Sequence, residues 1–216
     1  MAVPKTKWKK DHVVCVAVKN GVSVLAQMLD TPYLAFFSHF STTDRFDVKQ
    51  LRESELLFCC AVTRQFLKHS LLNSALTSPL QNLTVPRLRI GRHLGTREIT
   101  VWEGTQHERR FYSLESRSGG CLLDRDPQAP ASEGIGKKLR ELQPSDFDSI
   151  AKVEVDVVWT FPLLNERLHL IHQLGKPVDP LKELLFDQRM ISEYRVFVDM
   201  LASHGSLTEW GFEDPR

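Results

Sequence analysis

The strongest metal-binding chemistry in this sequence belongs to Glu166, His169 and His172, which follow one another at three-residue steps in a predicted helix. A carboxylate and two imidazoles are ordinary zinc ligands. Positions six apart on a helix, however, are separated by about 120° around its axis, so one end of the set turns away from the other. A complete site would need ligands from elsewhere in the chain. We therefore predict that these residues lie on a solvated helix face and that the protein holds no metal or other cofactor.

No segment carries the signature of a catalytic nucleophile. Ser, His and Asp are plentiful, but G-x-S-x-G, the phosphate-binding loop and the dinucleotide fingerprint are absent. The segment beginning at Ser118 is predicted to be a loop and not an elbow between a strand and a helix. The cysteines form no C-x-x-C pair and are predicted to be free thiols; they are Cys15, Cys59, Cys60 and Cys121. We assign no catalytic residue and predict that the protein is not an enzyme, with an enzyme whose site the sequence does not reveal as a second alternative.

Basic residues form two local clusters. Four lysines surround Trp8 within residues 1–10, and four arginines lie between positions 87 and 97. Basic residues beside an aromatic, ahead of a curled sheet, can bind RNA or DNA. The chain as a whole has 28 Lys and Arg against 27 Asp and Glu, a formal net charge of +1, which favours no such partner. A nucleic-acid-binding module is the alternative to the function that we predict below.

The composition is that of an ordinary globular protein. Of 216 residues, 42% are hydrophobic and 25% are charged. No window approaches the roughly 18 to 20 apolar residues that a membrane helix requires, and the basic start is not followed by a signal sequence. We expect a cytoplasmic protein without a membrane partner.

The elements that would position these residues begin with a hairpin. Asn20 and Gly21 form the strongest short-range hairpin signal, and strands are predicted near 12–18, 22–29 and 33–38. Residues 56–62 read as a buried central strand, residues 47–51 as a helical turn and residues 63–76 as a region with a short helix.

The second half is predicted to contain another hairpin and two helices. Pro86 would confine a strand at 85–90 to a sheet edge, while 98–103 and 111–114 would pair. Residues 117–136 are rich in Gly and Pro and are predicted to be a loop. A helix begins at 144–148 with Ser145 or Asp146 as its cap, and residues 153–158 alternate as a half-exposed strand. Helices follow at 162–173, closed by Gly175, and at 181–203.

Together these elements predict an α+β fold: a strongly bent antiparallel sheet or partial barrel with flanking C-terminal helices. We divide the chain into a flexible basic arm at 1–10, an α+β domain at 11–175 and a C-terminal helical extension at 176–216 packed on the same domain.

The first third of the chain resembles a known family. The resemblance is carried by the Lys-rich start and the segments Asp11-His-Val-Val-Cys-Val-Ala-Val18, Asn20-Gly21, Val24-Leu-Ala-Gln27, Leu34-Ala-Phe-Phe37 and Leu57-Phe-Cys-Cys-Ala-Val62. This order is similar to that of the immunity protein 26-type family of bacterial polymorphic toxin systems, best over residues 8–62. The resemblance implies direct binding and occlusion of one cognate toxin, delivered by contact-dependent or type VI secretion.

Binding a toxin requires a rigid scaffold and a variable surface. We predict that this surface is formed by the 117–136 loop and the flank at 87–97, where alternation places Arg87 and Arg89 on one strand face. The predicted contact residues are Arg87, Arg89, Arg92, Arg97, Arg117, Asp124, Arg125, Asp126 and Glu133. The identity of the toxin is left open, as is a homodimer.

Overall fold

The computed structural model of the chain describes residues 7–43, 45–127, 129 and 136–213. The fold is α+β, with a strongly curled six-stranded half-barrel sheet and C-terminal helices, as the sequence predicts. The chain forms two compact units. The first unit consists of Met1–Val85, Val157–Pro177 and Gly211–Arg216, and the second of Pro86–Asp156 and Val178–Trp210. The bounds of these units are not those of the predicted domains at 1–10, 11–175 and 176–216, which stay a prediction.

Strands are numbered in chain order within the described residues. They are β1 (Val13–Ala17), β2 (Ser23–Met28), β3 (Tyr33–Ser41), β4 (Leu56–Val62), β5 (Leu71–Ser74), β6 (Leu88–Gly91), β7 (Leu94–Val101), β8 (Arg109–Glu115), β9 (Gly120–Asp124), β10 (Lys137–Leu142), β11 (Glu154–Val155) and β12 (Val158–Trp159). The α-helices are α1 (Arg64–Ser70), α2 (Leu163–Leu174), α3 (Pro180–Leu185) and α4 (Arg195–Leu201). Short 3-10 helices span Glu53–Glu55, Pro144–Ile150 and Ser192–Tyr194.

The first unit contains the six-stranded sheet, in the order β12-β4-β3-β2-β1-β5. Neighbouring strands are antiparallel except for β12, which pairs in parallel with β4. Asn20 and Gly21 both have positive φ, at 54° and 72°, as a tight hairpin turn requires. The predicted first hairpin and the buried strand at 56–62 are confirmed.

Both faces of this sheet are buried. One face packs around Val13, Leu25 and Phe37, whereas on the other Phe36 stacks on Phe58, with their ring centroids 5.1 Å apart. Strands buried on both faces read as continuous apolar runs because neither set of alternate positions meets water. Helix α2 is also enclosed: every residue from 164 to 171 is buried. Gly175 ends it at φ 64°, as predicted.

The second unit contains a four-stranded sheet and a separate hairpin. The sheet order is β10-β9-β6-β11, and β7 pairs only with β8 in a two-stranded antiparallel sheet. The second predicted hairpin is therefore confirmed. The ammonium group of Lys182 in α3 is buried and donates to the carbonyls of Ile150, Ala151 and Val153, which fastens this helix to the end of the preceding 3-10 helix.

The prediction of one helix over 181–203 is wrong. Helix α3 ends at Leu185, and Asp187 takes a left-handed conformation at φ 51°. The amide of Gln188 then donates to the carbonyl of Glu183 at 2.8 Å, a bond that reaches back over the last turn and closes the helix. The helical spacing of apolar residues continues from α3 into α4, which belongs to the same unit. Because the spacing is uninterrupted, periodicity alone cannot locate the break.

The prediction of a loop over the whole of 117–136 is also wrong, because β9 lies inside it. Gly119 and Gly120 have positive φ and introduce the strand. A Cβ atom on Gly120 would lie 2.5 Å from the carbonyl oxygen of Gly91, so glycine is required there for two strands to approach. The glycines that we interpreted as loop residues therefore permit strand pairing.

The short helix predicted within residues 63–76 is confirmed as α1, and strand β5 follows it. Three other short predictions are corrected. Residues 47–51 form no helical turn; a 3-10 turn follows at Glu53–Glu55. Strand β6 begins after Pro86 and has partners on both sides, so it is not an edge strand. Residues 153–158 divide into β11 and β12, which join different sheets.

The helix start at 144–148 is a 3-10 helix, and Asp146 accepts a hydrogen bond from the amide of Gln143 at 2.8 Å. Asp146 thus contributes to the cap from inside the helix. The prediction that Ser145 or Asp146 is itself the cap residue is wrong, because the N-cap position is occupied by Gln143. The four cysteines are free thiols, as predicted. Within the described ranges, no helix is both long enough and apolar enough to cross a membrane.

Candidate functional site

Two of the arginines predicted to contact a partner are neutralised by acidic residues of their own unit. Nε of Arg87 donates to Asp124 at 2.7 Å, which joins two members of the predicted set to each other. This hydrogen bond is the main reason why the pKa of Asp124 is lowered. Arg125 donates to Asp156 in the same way. Arg87, Asp124 and Arg125, which were predicted to contact a partner, therefore form ion pairs within the protein.

Arg97 fastens the β7–β8 hairpin to the end of α3. Its Nη1 donates to Asp187 at 3.0 Å and to the hydroxyl of Ser118 at 2.7 Å, and its Nη2 donates to the carbonyl of Leu184 at 3.2 Å. Ser118 in turn donates to Asp187. These contacts give Arg97 a positioning role in the fold.

Arg89 lies inside the second unit. Only 3% of this residue is exposed, and in the sheet it stands opposite Glu154 of β11. Arg87 is exposed and precedes the strand, so the expected strand face shared by these two arginines does not exist. Asp126 is exposed. Glu133 lies outside the described residues.

Two of the three metal-binding candidates of α2 do not lie on a solvated face, which corrects our prediction for them, whereas His172 is exposed. Glu166 and His169 are buried. Nζ of Lys19 donates to Glu166 at 2.8 Å, and burial raises the pKa of this carboxyl. Burial and the charge of Lys19 lower the pKa of His169 to about 4. Among the side chains that the structure describes, no three His, Cys, Asp or Glu are grouped so that they could hold a metal ion.

The described part of the basic arm is attached to the first hairpin. The indole of Trp8 donates to the carbonyl of Leu29 at 2.8 Å, and Lys10 pairs with Asp30 at 3.0 Å. Because these contacts occupy the indole N–H and one of the lysines, the nucleic-acid alternative receives no support from them and stays a prediction.

The β7–β8 hairpin presents one exposed face, which we call the hairpin face. It consists of Thr96, Glu98, Thr100, Arg110, Tyr112 and Leu114, whereas Leu94 lies beyond a bulge in β7 and pairs with Glu115. Register places Glu98 opposite Tyr112 and Thr100 opposite Arg110. On this face Tyr112 and Leu114 are 75% and 64% exposed, and Leu94, beyond the bulge, is 77% exposed. Exposed apolar groups gathered on one surface mark interaction sites.

The opposite face of the hairpin is fixed by polar contacts to the C-terminal helices of the second unit. Nε of Arg109 donates to Asp199 of α4, and the indole of Trp102 donates to the carbonyl of Met190 at 3.0 Å. Val101 is buried beside them. The strands that present the hairpin face are therefore fixed in position by the contacts of their opposite face.

A compact group of charges lies next to the hairpin face. We call it the Glu141 cluster: His93, Arg117, Lys138 and Glu141. Lys138 donates to Glu141, His93 Nε2 lies 3.2 Å from its Oε2, and Arg117 Nη2 lies 3.6 Å from its Oε1. The hydrogen bond from Lys138, and then the charges of its neighbours, lower the pKa of Glu141. This cluster includes Arg117, and Arg92 lies close by in sequence with Glu115 at 4.0 Å.

Residues 3–191 match the family described as Domain of unknown function (DUF8309). The chain belongs to this family. No curated protein and no solved structure matches the chain. The family description assigns no activity, so function has to be argued from the surface described above.

The sequence contained a signal for the hairpin face that we did not use. Strand β8 alternates, but it carries apolar side chains on both faces: Phe111 points inward, whereas Tyr112 and Leu114 point outward. A strand with one solvated face normally has polar residues at every second position. Apolar residues at both sets of positions in an otherwise polar hairpin indicate a second surface to be covered. We gave weight to charge instead and overlooked Tyr112.

Proposed function

We propose that this protein is an immunity protein that binds one cognate bacterial toxin and blocks it by direct occlusion, without catalysing a reaction. The toxin would be an effector of contact-dependent or type VI secretion, neutralised in the cytoplasm of the producing or sibling cell. The resemblance of residues 8–62 to the immunity protein 26-type family supports the class of partner. The hairpin face supports the mode of action.

The observation that carries this proposal is Tyr112, which is three-quarters exposed on a fixed strand, two residues before the exposed Leu114. Tyrosine is enriched among the residues that dominate binding energy in protein interfaces. It buries a large area while losing little side-chain freedom, since only two of its torsions must be fixed. A strand that is already held in place also reduces the ordering cost of association.

The neighbouring residues fit a protein partner. Glu98 and Arg110 flank Tyr112 with opposite charges, so the centre of the face is apolar and its border is polar. Interfaces commonly have this arrangement, because a border of polar groups excludes water from an apolar centre. Inhibition then needs only that the bound protein cover the active cleft of the toxin.

The test is binding to the purified product of the neighbouring toxin gene. Tyr112→Ala and Leu114→Asp are each expected to weaken binding by about 30-fold or more, the effect of losing a hot-spot residue, and to abolish protection of growing cells. Leu76→Asp is the matched control, because Leu76 is a fully exposed leucine of the first unit. It should bind and protect like the unaltered protein.

Thermal unfolding of all three variants separates loss of contact from loss of fold. Full binding by both hairpin-face variants would overturn the proposal, as would turnover of a small substrate by the purified protein.

A further inference from the structure

The Glu141 cluster has more hydrogen-bond donors than its single carboxylate can satisfy. Arginine carries five N–H donors and lysine three. Arg117 and Lys138 both direct their donors at Glu141, and His93 contacts the same carboxylate. The side chains of Arg117 and Lys138 are more than half exposed, at 61% and 52%. A second anionic group approaching from solvent would therefore meet two accessible cations.

The cluster adjoins the base of the β7–β8 hairpin, since His93 precedes β7 and Arg117 follows β8. His93 directly precedes Leu94, and Arg117 comes three residues after Leu114. The amide of Ser116 donates to the carbonyl of His93 at 2.9 Å, which holds the two chain segments together. Gly95 allows this approach, since a Cβ atom there would lie 2.6 Å from the Cβ of Ser116. A partner that covers Tyr112 thus extends naturally over the cluster.

Resting on the proposed function, we propose that the partner inserts an aspartate or glutamate side chain into the Glu141 cluster while its apolar surface covers the hairpin face. A carboxylate can share Arg117 and Lys138 with Glu141, because guanidinium and ammonium groups donate to several acceptors at once. A basic side chain would instead face like charges. The apolar part of the hairpin face favours a protein carboxylate over a free phosphate, since phosphate would leave Tyr112 and Leu114 uncovered.

This pairing acts mainly on the rate of association, because exposed charges steer encounter more than they add final affinity. Lys138→Glu and Arg117→Glu are expected to slow association with the toxin about tenfold at low salt, and the difference should shrink at high salt as the charges are screened. Glu141→Gln, which removes the internal competitor, should speed association. Lys152→Glu is the matched control, being an exposed lysine of the same unit outside the cluster.

The outcome separates this inference from the proposed function. If Lys138→Glu and Arg117→Glu associate like Lys152→Glu, while Tyr112→Ala still weakens binding, the inference is overturned and the proposed function stands. If Tyr112→Ala and Leu114→Asp also both bind fully, the proposed function itself fails.

A titration without the toxin tests the same chemistry. The full-length, isotope-labelled protein is titrated with a hexaglutamate peptide and, separately, with inorganic phosphate, and amide shifts are followed by NMR. The peptide is expected to shift residues of the Glu141 cluster, and Lys138→Glu should remove the effect. Shifts produced by phosphate but not by the peptide, or by neither, would overturn the inference.

Discussion

Lys19 and Glu166 form an ion pair that is almost completely removed from water. Their side chains are 8% and 3% exposed, and the ammonium group of Lys19 also lies 5.2 Å from the ring centroid of Phe212. Burial of two charges costs several kcal/mol per ion, which a good pair largely offsets. The burial that raises the pKa of Glu166 shows that desolvation outweighs the hydrogen bond from Lys19 at this carboxyl.

We expect Lys19→Met to lower the free energy of unfolding by about 3–5 kcal/mol, because it leaves Glu166 buried without its partner. Adding Glu166→Leu should restore most of this loss, since the remaining apolar pair needs no compensation. Lys10→Met is the control: Lys10 pairs with Asp30 at the surface, and such pairs contribute less than about 1 kcal/mol. Chemical denaturation measures all three. A double variant as unstable as the single one would contradict this account.

His169 makes the stability of the first unit depend on pH. Its folded-state pKa of about 4 lies below the ordinary 6.5, so the fold favours the neutral imidazole. The stability that this contributes is complete above pH 6.5 and is lost as the pH falls from 6.5 through 4. His169→Leu is therefore expected to show a smaller drop in melting temperature between pH 7 and 4.5 than the unaltered protein. His172→Leu, at an exposed position of the same helix, should keep most of the drop, because His172 contributes the smallest of the three causes that lower the pKa of His169. Equal drops in all three proteins would exclude this role for His169.

At the scale of elements, local signals located most strands and the two helices α1 and α2. Each of these signals lies within a few consecutive residues. They are the Asn20-Gly21 turn, the apolar runs of the first unit and Gly175 at the end of α2. The break between α3 and α4 was missed because the apolar spacing continues through it, and because one of the contacts that hold Asp187 in place is not local. Asp187 is bound there by Arg97, 90 positions away in sequence.

The predicted contact residues show the same limit. Arg87 meets Asp124 across 37 positions, and Arg125 meets Asp156 across 31. Charge in a sequence reveals which residues can form ion pairs, but pairing is decided by strands that neighbour each other only after folding. The exposed apolar pair of the hairpin face, Tyr112 and Leu114, follows by contrast from alternation within β8 and could have been found.

At the scale of the whole molecule, the chain passes between the two units four times. The first unit takes its sheet from the start of the chain and β12 and α2 from Val157–Pro177. Within it, Asn165 of α2 donates to the carbonyl of Ala17 at 2.8 Å, and Arg167 lies 3.9 Å from the ring centroid of Phe58. These long-range contacts explain why a division of the sequence into consecutive domains does not reproduce the units.

A chain ending at residue 156 is therefore expected not to fold. It would lack α2, whose residues 164–171 are all buried, and would expose the sheet surface around Phe58 to water. The loss of this helix removes several buried apolar side chains, each contributing on the order of 2 kcal/mol. Circular dichroism on heating should show no cooperative transition for this chain.

The matched control keeps every segment but cuts the chain at the exposed turn between Gly104 and Thr105, where a Cβ atom on Gly104 would meet nothing within 4 Å. Each unit then draws segments from both pieces, because residues 1–104 and 105–216 each contribute to both. The two pieces, expressed together, should co-purify and unfold cooperatively. Cooperative unfolding of the chain ending at 156 near the melting temperature of the full protein would show instead that the first 85 residues fold without the later segment.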